Sequence, residues 1–213
     1  ALVQHLYDLH ISKAQLYEYD QNIIRHTKEI NVSRTEKIQW KYYQYLSLLF
    51  TEVFLDKYFA DRKALLNDIN EFQENVFNFK PDTWHGVPPF EENDLNKLAF
   101  WCATGSGKTL LMHVNIKQYL HYAAKYRAPK LNRIIILTPN EGLSKQHLQE
   151  RYLSDMQAEL ITKNSGRMFQ GKTIDIIDVN KLAEIDGDKT VAVDSFEGNN
   201  LVLVDEGHKG SGG

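Results

Sequence analysis

Lys97-Leu98-Ala99-Phe100-Trp101-Cys102-Ala103-Thr104-Gly105-Ser106-Gly107-Lys108-Thr109-Leu110-Leu111 is the stretch that decides the fold. Its first part, Lys97 to Cys102, is apolar and reads as a strand, and the residues from Lys108 to Tyr126 read as a helix. Between them Gly105 and Gly107 flank a serine. Glycine lets the backbone curl so that several N–H groups point inward, and the following helix adds its positive N-terminal end. Strand, glycine turn and helix in that order make a cradle for phosphate groups. In such a cradle Lys108 offers a point charge to the β- and γ-phosphates and Thr109 a hydroxyl to Mg²⁺. Thr104, Gly105, Ser106, Gly107, Lys108 and Thr109 are therefore candidate ATP-binding residues, with Lys108 also a candidate catalytic group.

Downstream the pattern alternates. Arg133 to Thr138 reads as a strand of continuous isoleucine and leucine, Leu143 to about Leu160 as a helix, and Thr173 to Val179 and Leu201 to Val204 as further strands. Short apolar runs without alternation are strands buried on both faces, and helices between them imply a parallel sheet. The last run ends in Asp205-Glu206, so two acids are expected at the carboxyl edge of the sheet, where ligands bind in such folds. There Asp205 would hold Mg²⁺ through its water shell, and Glu206 would orient and deprotonate an attacking water. The expected fold is α/β, a three-layer P-loop NTPase lobe over residues 97–213 with a mainly parallel sheet.

Upstream, residues 1–80 read as an α-helical region. Leu2 to His10 and Ile11 to Ile30 carry apolar residues at helical spacing, and Leu65, Ile69, Phe72 and Val76 repeat every three or four residues. Ser33 and Glu36 have capping-box spacing ahead of a largely apolar helix from Ile38 to Phe54. Pro81, Gly86, Pro88 and Pro89 mark residues 81–96 as a connector.

Composition narrows the setting. The net charge of −3 gives no overall basic footprint, so a nucleic-acid partner would have to be met by a local surface. The single cysteine, Cys102, excludes an internal disulfide framework and suits the cytoplasm. No run approaches about 18 apolar residues, so no membrane span is expected. The start at Ala1 and the stop in Gly210-Ser211-Gly212-Gly213, just past the two acids, lead us to expect a piece of a longer protein. His5, His10, His26, His113 and His121 have no metal-ligand spacing, and Asp175, Asp178 and Lys181 lack the second acid of a nuclease pattern.

Taken together, these motifs resemble those of superfamily-2 helicases. Such RecA-like ATPases use a P-loop variant that lacks the first glycine of the strict pattern, as this chain does. Asp205-Glu206-Gly207-His208 is similar to their motif II, and Thr138-Pro139-Asn140 followed by Leu143-Ser144-Lys145-Gln146 is similar to motif Ia. As a set they resemble most the motor subunit of type III restriction enzymes, over about residues 97–213. The resemblance implies the first of two RecA-like lobes, using ATP and Mg²⁺. It implies that His208 couples the nucleotide site to the second lobe or to nucleic acid, and that Thr138, Pro139 and Asn140 approach a phosphate backbone. A glutamine upstream of the P-loop reads adenine in such motors, and Gln44 is the candidate here. The implied partners are nucleic acid, DNA first, a second lobe of the same protein and a modification or specificity subunit. The alternative is a P-loop ATPase that remodels protein complexes without nucleic acid.

Overall fold

The computed structural model describes residues 11–79, 87–103, 105–161, 173–183, 191–192 and 196–207. Thr104, His208 and the helix expected over Leu2 to His10 lie outside them.

Helix α1 (Lys13–Ile30) begins with a capping box, the Ser12 hydroxyl accepting the Gln15 N–H while Gln15 Oε1 accepts the Ser12 N–H. The pair expected at Ser33 and Glu36 caps nothing. Asn31 instead clasps Ile38, its Oδ1 accepting the Ile38 N–H and its Nδ2 donating to the Ile38 carbonyl. This side-chain-to-backbone clasp competes with helix formation and holds the segment as a loop. Helix α2 (Tyr42–Ala60) therefore starts later than the apolar pattern suggests, with Gln44 Oε1 accepting the Lys41 N–H. Helix α3 (Arg62–Phe79) follows at once, started by Asp61 Oδ1, which accepts the Lys63 and Ala64 N–H groups. A 3₁₀ turn, η1 (Glu92–Asn96), buries Leu95 within the connector.

Helix α4 (Lys108–Lys125) lies between two cores. On one side its Leu111, Val114 and Tyr122 pack with Tyr19, Ile23, Leu48, Leu49 and Leu55 of α1 and α2. On the other side Met112 and Ile116 pack on the sheet. That double burial is why its apolar residues do not gather into one stripe.

Four parallel strands form the main sheet in the order β2-β3-β1-β6. They are β1 (Arg133–Thr138), β2 (Ala158–Leu160), β3 (Ile174–Asp178) and β6 (Asn200–Val204). Ile134, Ile136, Ile174 and Ile176 point into the core shared with α4, and Ile135 and Ile177 into the core of the opposite face with Ile161. β1 is covered on both sides and has no polar face, hence its unbroken isoleucine run. Helix α5 (Glu141–Leu153) joins β1 to β2, packing Leu148 onto the same core as α4. It stops short of the expected Leu160 because Asp155 turns left-handed, φ 53°. A 3₁₀ turn η2 (Val179–Lys181) and a two-residue parallel ladder of β4 (Leu182–Ala183) with β5 (Val191–Ala192) complete the described chain.

One expected strand is absent. Lys97 to Cys102 joins no ladder among the described residues, and Leu98, Phe100 and Trp101 are exposed. Apolar character marks a segment that can be buried but does not supply a neighbour with free backbone groups.

Polar side chains also cross the helical core. Glu52, fully buried on α2, accepts hydrogen bonds at Oε2 from Tyr122 on α4 (2.6 Å) and Asn22 on α1 (3.1 Å). Burial pushes the Glu52 carboxyl above the usual range, and the bonds from Tyr122, Gln118 and Asn22 offset this only in part. An acid raised on folding favours the folded state below its unfolded pKa, and that contribution is lost as pH rises through the folded value. Glu52→Gln should therefore gain stability relative to the parent as pH rises from 5 to 8. Urea unfolding at both pH values checks this, and parallel losses in the two proteins would contradict it.

Candidate nucleotide site

The loop before α4 has the backbone that a phosphate cradle needs. Gly105 and Gly107 have φ of 73° and 84°, a region that L-residues with side chains rarely enter. Gly107 is the N-cap of α4, so the positive end of that helix opens directly into the loop. The bare Cα is also required by a neighbour, since a Cβ at Gly107 would come within 2.7 Å of Gln44 Nε2. That amide donates to the Ser106 carbonyl at 2.7 Å, so the first turn of α2 braces the loop from behind. Ser106 Oγ is buried without a hydrogen-bond partner. A cleft of about 580 Å³ adjoins the loop, lined by Tyr43, Phe100, Trp101, Cys102 and Ser106 among others.

Opposite the cradle lies the end of β6. The Asp205 N–H donates to the Leu137 carbonyl at 2.9 Å, extending the β1–β6 ladder by one residue. The chain then bends sharply at Glu206, a non-glycine residue with φ 53°. This bend brings Glu206 Oε1 to 2.6 Å from Lys108 Nζ, an ion pair that raises the lysine pKa. Asp205 is buried, and its Oδ2 lies 2.9 Å from His147 Nε2 on α5. That hydrogen bond, followed by the Lys108 charge and the Glu206 N–H, holds the Asp205 carboxyl below the usual range despite burial. Asp205 is thus ionised at neutral pH.

Oxygen donors from Asp205 and from Thr109, beside Lys108 in the first turn of α4, suit a hard cation such as Mg²⁺. Among the described residues no group of three or more His, Cys, Asp or Glu could hold a metal by itself. Few protein ligands completed by phosphate oxygens is the usual arrangement for Mg²⁺, so the residues present fit ATP with that ion.

The remaining candidates are placed differently. Thr138, at the end of β1, is buried, and its hydroxyl bonds to Ser144 Oγ at 2.6 Å and to the Ile177 and Asn140 carbonyls. It ties β1 to β3 and α5. Asn140 is exposed and caps α5 by accepting the Leu143 N–H, while the Pro139 carbonyl accepts from Asn180. Gln44 has both amide atoms engaged, on Lys41 and Ser106. Asp175 pairs with Arg133, and Asp178 caps η2 through the Asn180 N–H.

His147 was not among the histidines weighed from sequence. A signal was present, because the buried positions described in α5 and at its C-cap are polar: Ser144, His147, Arg151 and Ser154. Polar residues at the spacing that apolar residues normally occupy mark a face with partners to find.

A family model described as "Type III restriction enzyme, res subunit" matches residues 13–213. The chain belongs to that family. No curated protein and no solved structure matches the chain. The res-subunit family is one of helicase-like ATP-hydrolysing motors, which generally use ATP and Mg²⁺. The α/β fold with an all-parallel sheet is that of a RecA-like lobe. The match takes in α1 to α3 as well as the part whose motifs showed the resemblance. Among the described residues no helix is long and apolar enough to cross a membrane.

Because Gln44 is bonded to the loop backbone, removing its amide should weaken nucleotide binding whatever the base. In Gln44→Ala the affinities for ATP and GTP should fall together, by about 3–10-fold for the loss of one buried bond. Titration with both nucleotides measures this, and a loss confined to ATP would show that Gln44 reads adenine.

Proposed function

We propose that this res-subunit domain binds and hydrolyses ATP at the Gly105–Thr109 loop to drive movement along nucleic acid, with DNA as the first candidate track. The observation that carries this reading is the 2.6 Å pair of Lys108 and Glu206. It puts the P-loop lysine and the strand-end carboxylate within reach of one phosphoryl group.

Backbone N–H groups of Gly105, Gly107 and Lys108 hold the phosphates, and the aromatic cleft beside Tyr43 and Trp101 takes the base. Bound at Thr109 and Asp205, Mg²⁺ would neutralise charge on the β- and γ-phosphate oxygens. The arriving triphosphate draws Lys108 away from Glu206. Glu206 then accepts a proton from water as the water oxygen bonds to the γ-phosphorus and the bond to the β-phosphate oxygen breaks. ADP and phosphate are the products. His208 as coupling residue, and Thr138, Pro139 and Asn140 between β1 and α5 as a phosphate-backbone contact, remain part of the proposal. So do the cytoplasm as the setting, a second RecA-like lobe in the same protein and a modification subunit as partners. The second lobe would supply the transition-state arginine, a group worth roughly 10³–10⁵ in rate.

Steady-state ATP hydrolysis by the full-length protein, with no nucleic acid, duplex DNA, single-stranded DNA or RNA, tests the reading. Stimulation by one of these, reduced by at least about 10²-fold in Glu206→Gln, is expected. Hydrolysis that needs Glu206 but ignores every nucleic acid would favour a remodeller of protein complexes.

A further inference from the structure

The contact between Asp205 and His147 has no role in the chemistry above. It joins the proposed metal carboxylate to a helix that contributes nothing else to that site. His147 is 1% exposed and sits on α5, 58 residues from Asp205 in sequence. Its Nε2 lies 2.9 Å from Asp205 Oδ2. An ionised carboxylate only accepts, so Nε2 carries the hydrogen of this bond. The ring's Nδ1 is buried with no partner. One turn further on, Arg151 is fully buried, with Nη1 on Met156 Sδ and with Nε and Nη2 unpartnered. A leucine at position 147 would fill the same space without leaving a bare buried nitrogen. The unsatisfied nitrogen costs stability, and the bond to Asp205 is what the imidazole gains in return.

The geometry points to His147 as a positioning residue that fixes the Asp205 carboxylate for Mg²⁺–nucleotide. The backbone N–H of Asp205 donates to the Leu137 carbonyl at 2.9 Å. With Oδ2 anchored on His147, rotation about the Cβ–Cγ bond is stopped and Oδ1 is left for the metal's water shell. Such partners of a metal-holding group, one step removed from the ion, typically matter by 10–100-fold in metal affinity. The anchor itself is held. Ser144 on the same face bonds Thr138 at the end of β1, and Ser154 at the helix end bonds His113 on α4 and Arg34. Helix α5 is thus pinned to β1, to α4 and to the loop after α1, so His147 cannot drift from Asp205 without breaking those bonds.

This inference rests on the ATP–Mg²⁺ reading of the site, and the test separates the two. Mn²⁺ serves as a spectroscopic stand-in for Mg²⁺, its binding to the full-length protein with ADP followed by electron paramagnetic resonance. ADP binding in EDTA is measured in parallel by fluorescence of a labelled analogue. The proteins are the parent, His147→Leu, which keeps the volume and loses the donor, His147→Gln, whose Nε2 can reach Asp205, and Asp205→Asn. We expect His147→Leu to weaken Mn²⁺ binding about 10–100-fold with metal-free ADP binding within about 2-fold of the parent. His147→Gln should recover most of the loss. Three outcomes overturn the inference: unchanged Mn²⁺ binding in His147→Leu, an equal loss with and without metal, or no recovery in His147→Gln. If the parent binds no Mn²⁺–ADP, or Asp205→Asn binds it equally well, the metal site itself is wrong and the inference falls with it.

Discussion

A lysine at the start of a helix and a glutamate past the end of a strand, 98 residues apart, meet at 2.6 Å. Much of the architecture serves to make that meeting repeatable. The strands of the main sheet are parallel, so their carboxyl ends lie along one edge. β6 delivers Asp205 and Glu206 to that edge through its register with β1. α4 delivers Lys108 because Gly107 caps it in a left-handed conformation that only glycine holds cheaply. An apolar sheet face alone would leave α4 free to slide, and it does not slide because its far side is packed on α1 and α2.

The N-terminal helices are therefore part of the device that holds the nucleotide loop. Gln44 reaches from the first turn of α2 to the Ser106 carbonyl, and Gln118 on α4 donates to the Leu48 carbonyl. Tyr122 and Asn22 converge on Glu52, while Tyr19, Lys125 and Tyr126 converge on Asp56. Buried polar bonds of this kind add modest net stability but penalise any other packing, because each misplaced partner leaves an unsatisfied group in the core. The match of the res-subunit family model from residue 13 onward is consistent with these helices and the sheet forming one unit.

How much of this was legible depended on whether the deciding physics was local. β1 was readable to the residue because a strand buried on both faces must be apolar throughout, and Arg133 and Thr138 bound the run. The glycines of the loop were readable because their backbone demands leave no other residue type. The late start of α2 was not, because an Asn31 clasp seven residues long outweighed the Ser33–Glu36 spacing. Lys97 to Cys102 looked like a strand because pattern registers apolarity, not the presence of a neighbour. The bonds of Thr138 to Ser144 and to the Ile177 carbonyl were not legible, because these partners lie on other elements. His147 failed for the same reason, since its partner lies on another element.

The proposed function hinges on Lys108 facing a triphosphate once it leaves Glu206. Equilibrium binding of ATP–Mg²⁺ to the parent and to Lys108→Ala, with thermal unfolding as a check on the fold, puts that to the test. A charge-assisted contact of about 1.5–3 kcal/mol predicts binding weaker by about 10–150-fold with the fold intact. Equal affinity in the two proteins would mean that the triphosphate, if it binds at all, does not sit in this loop.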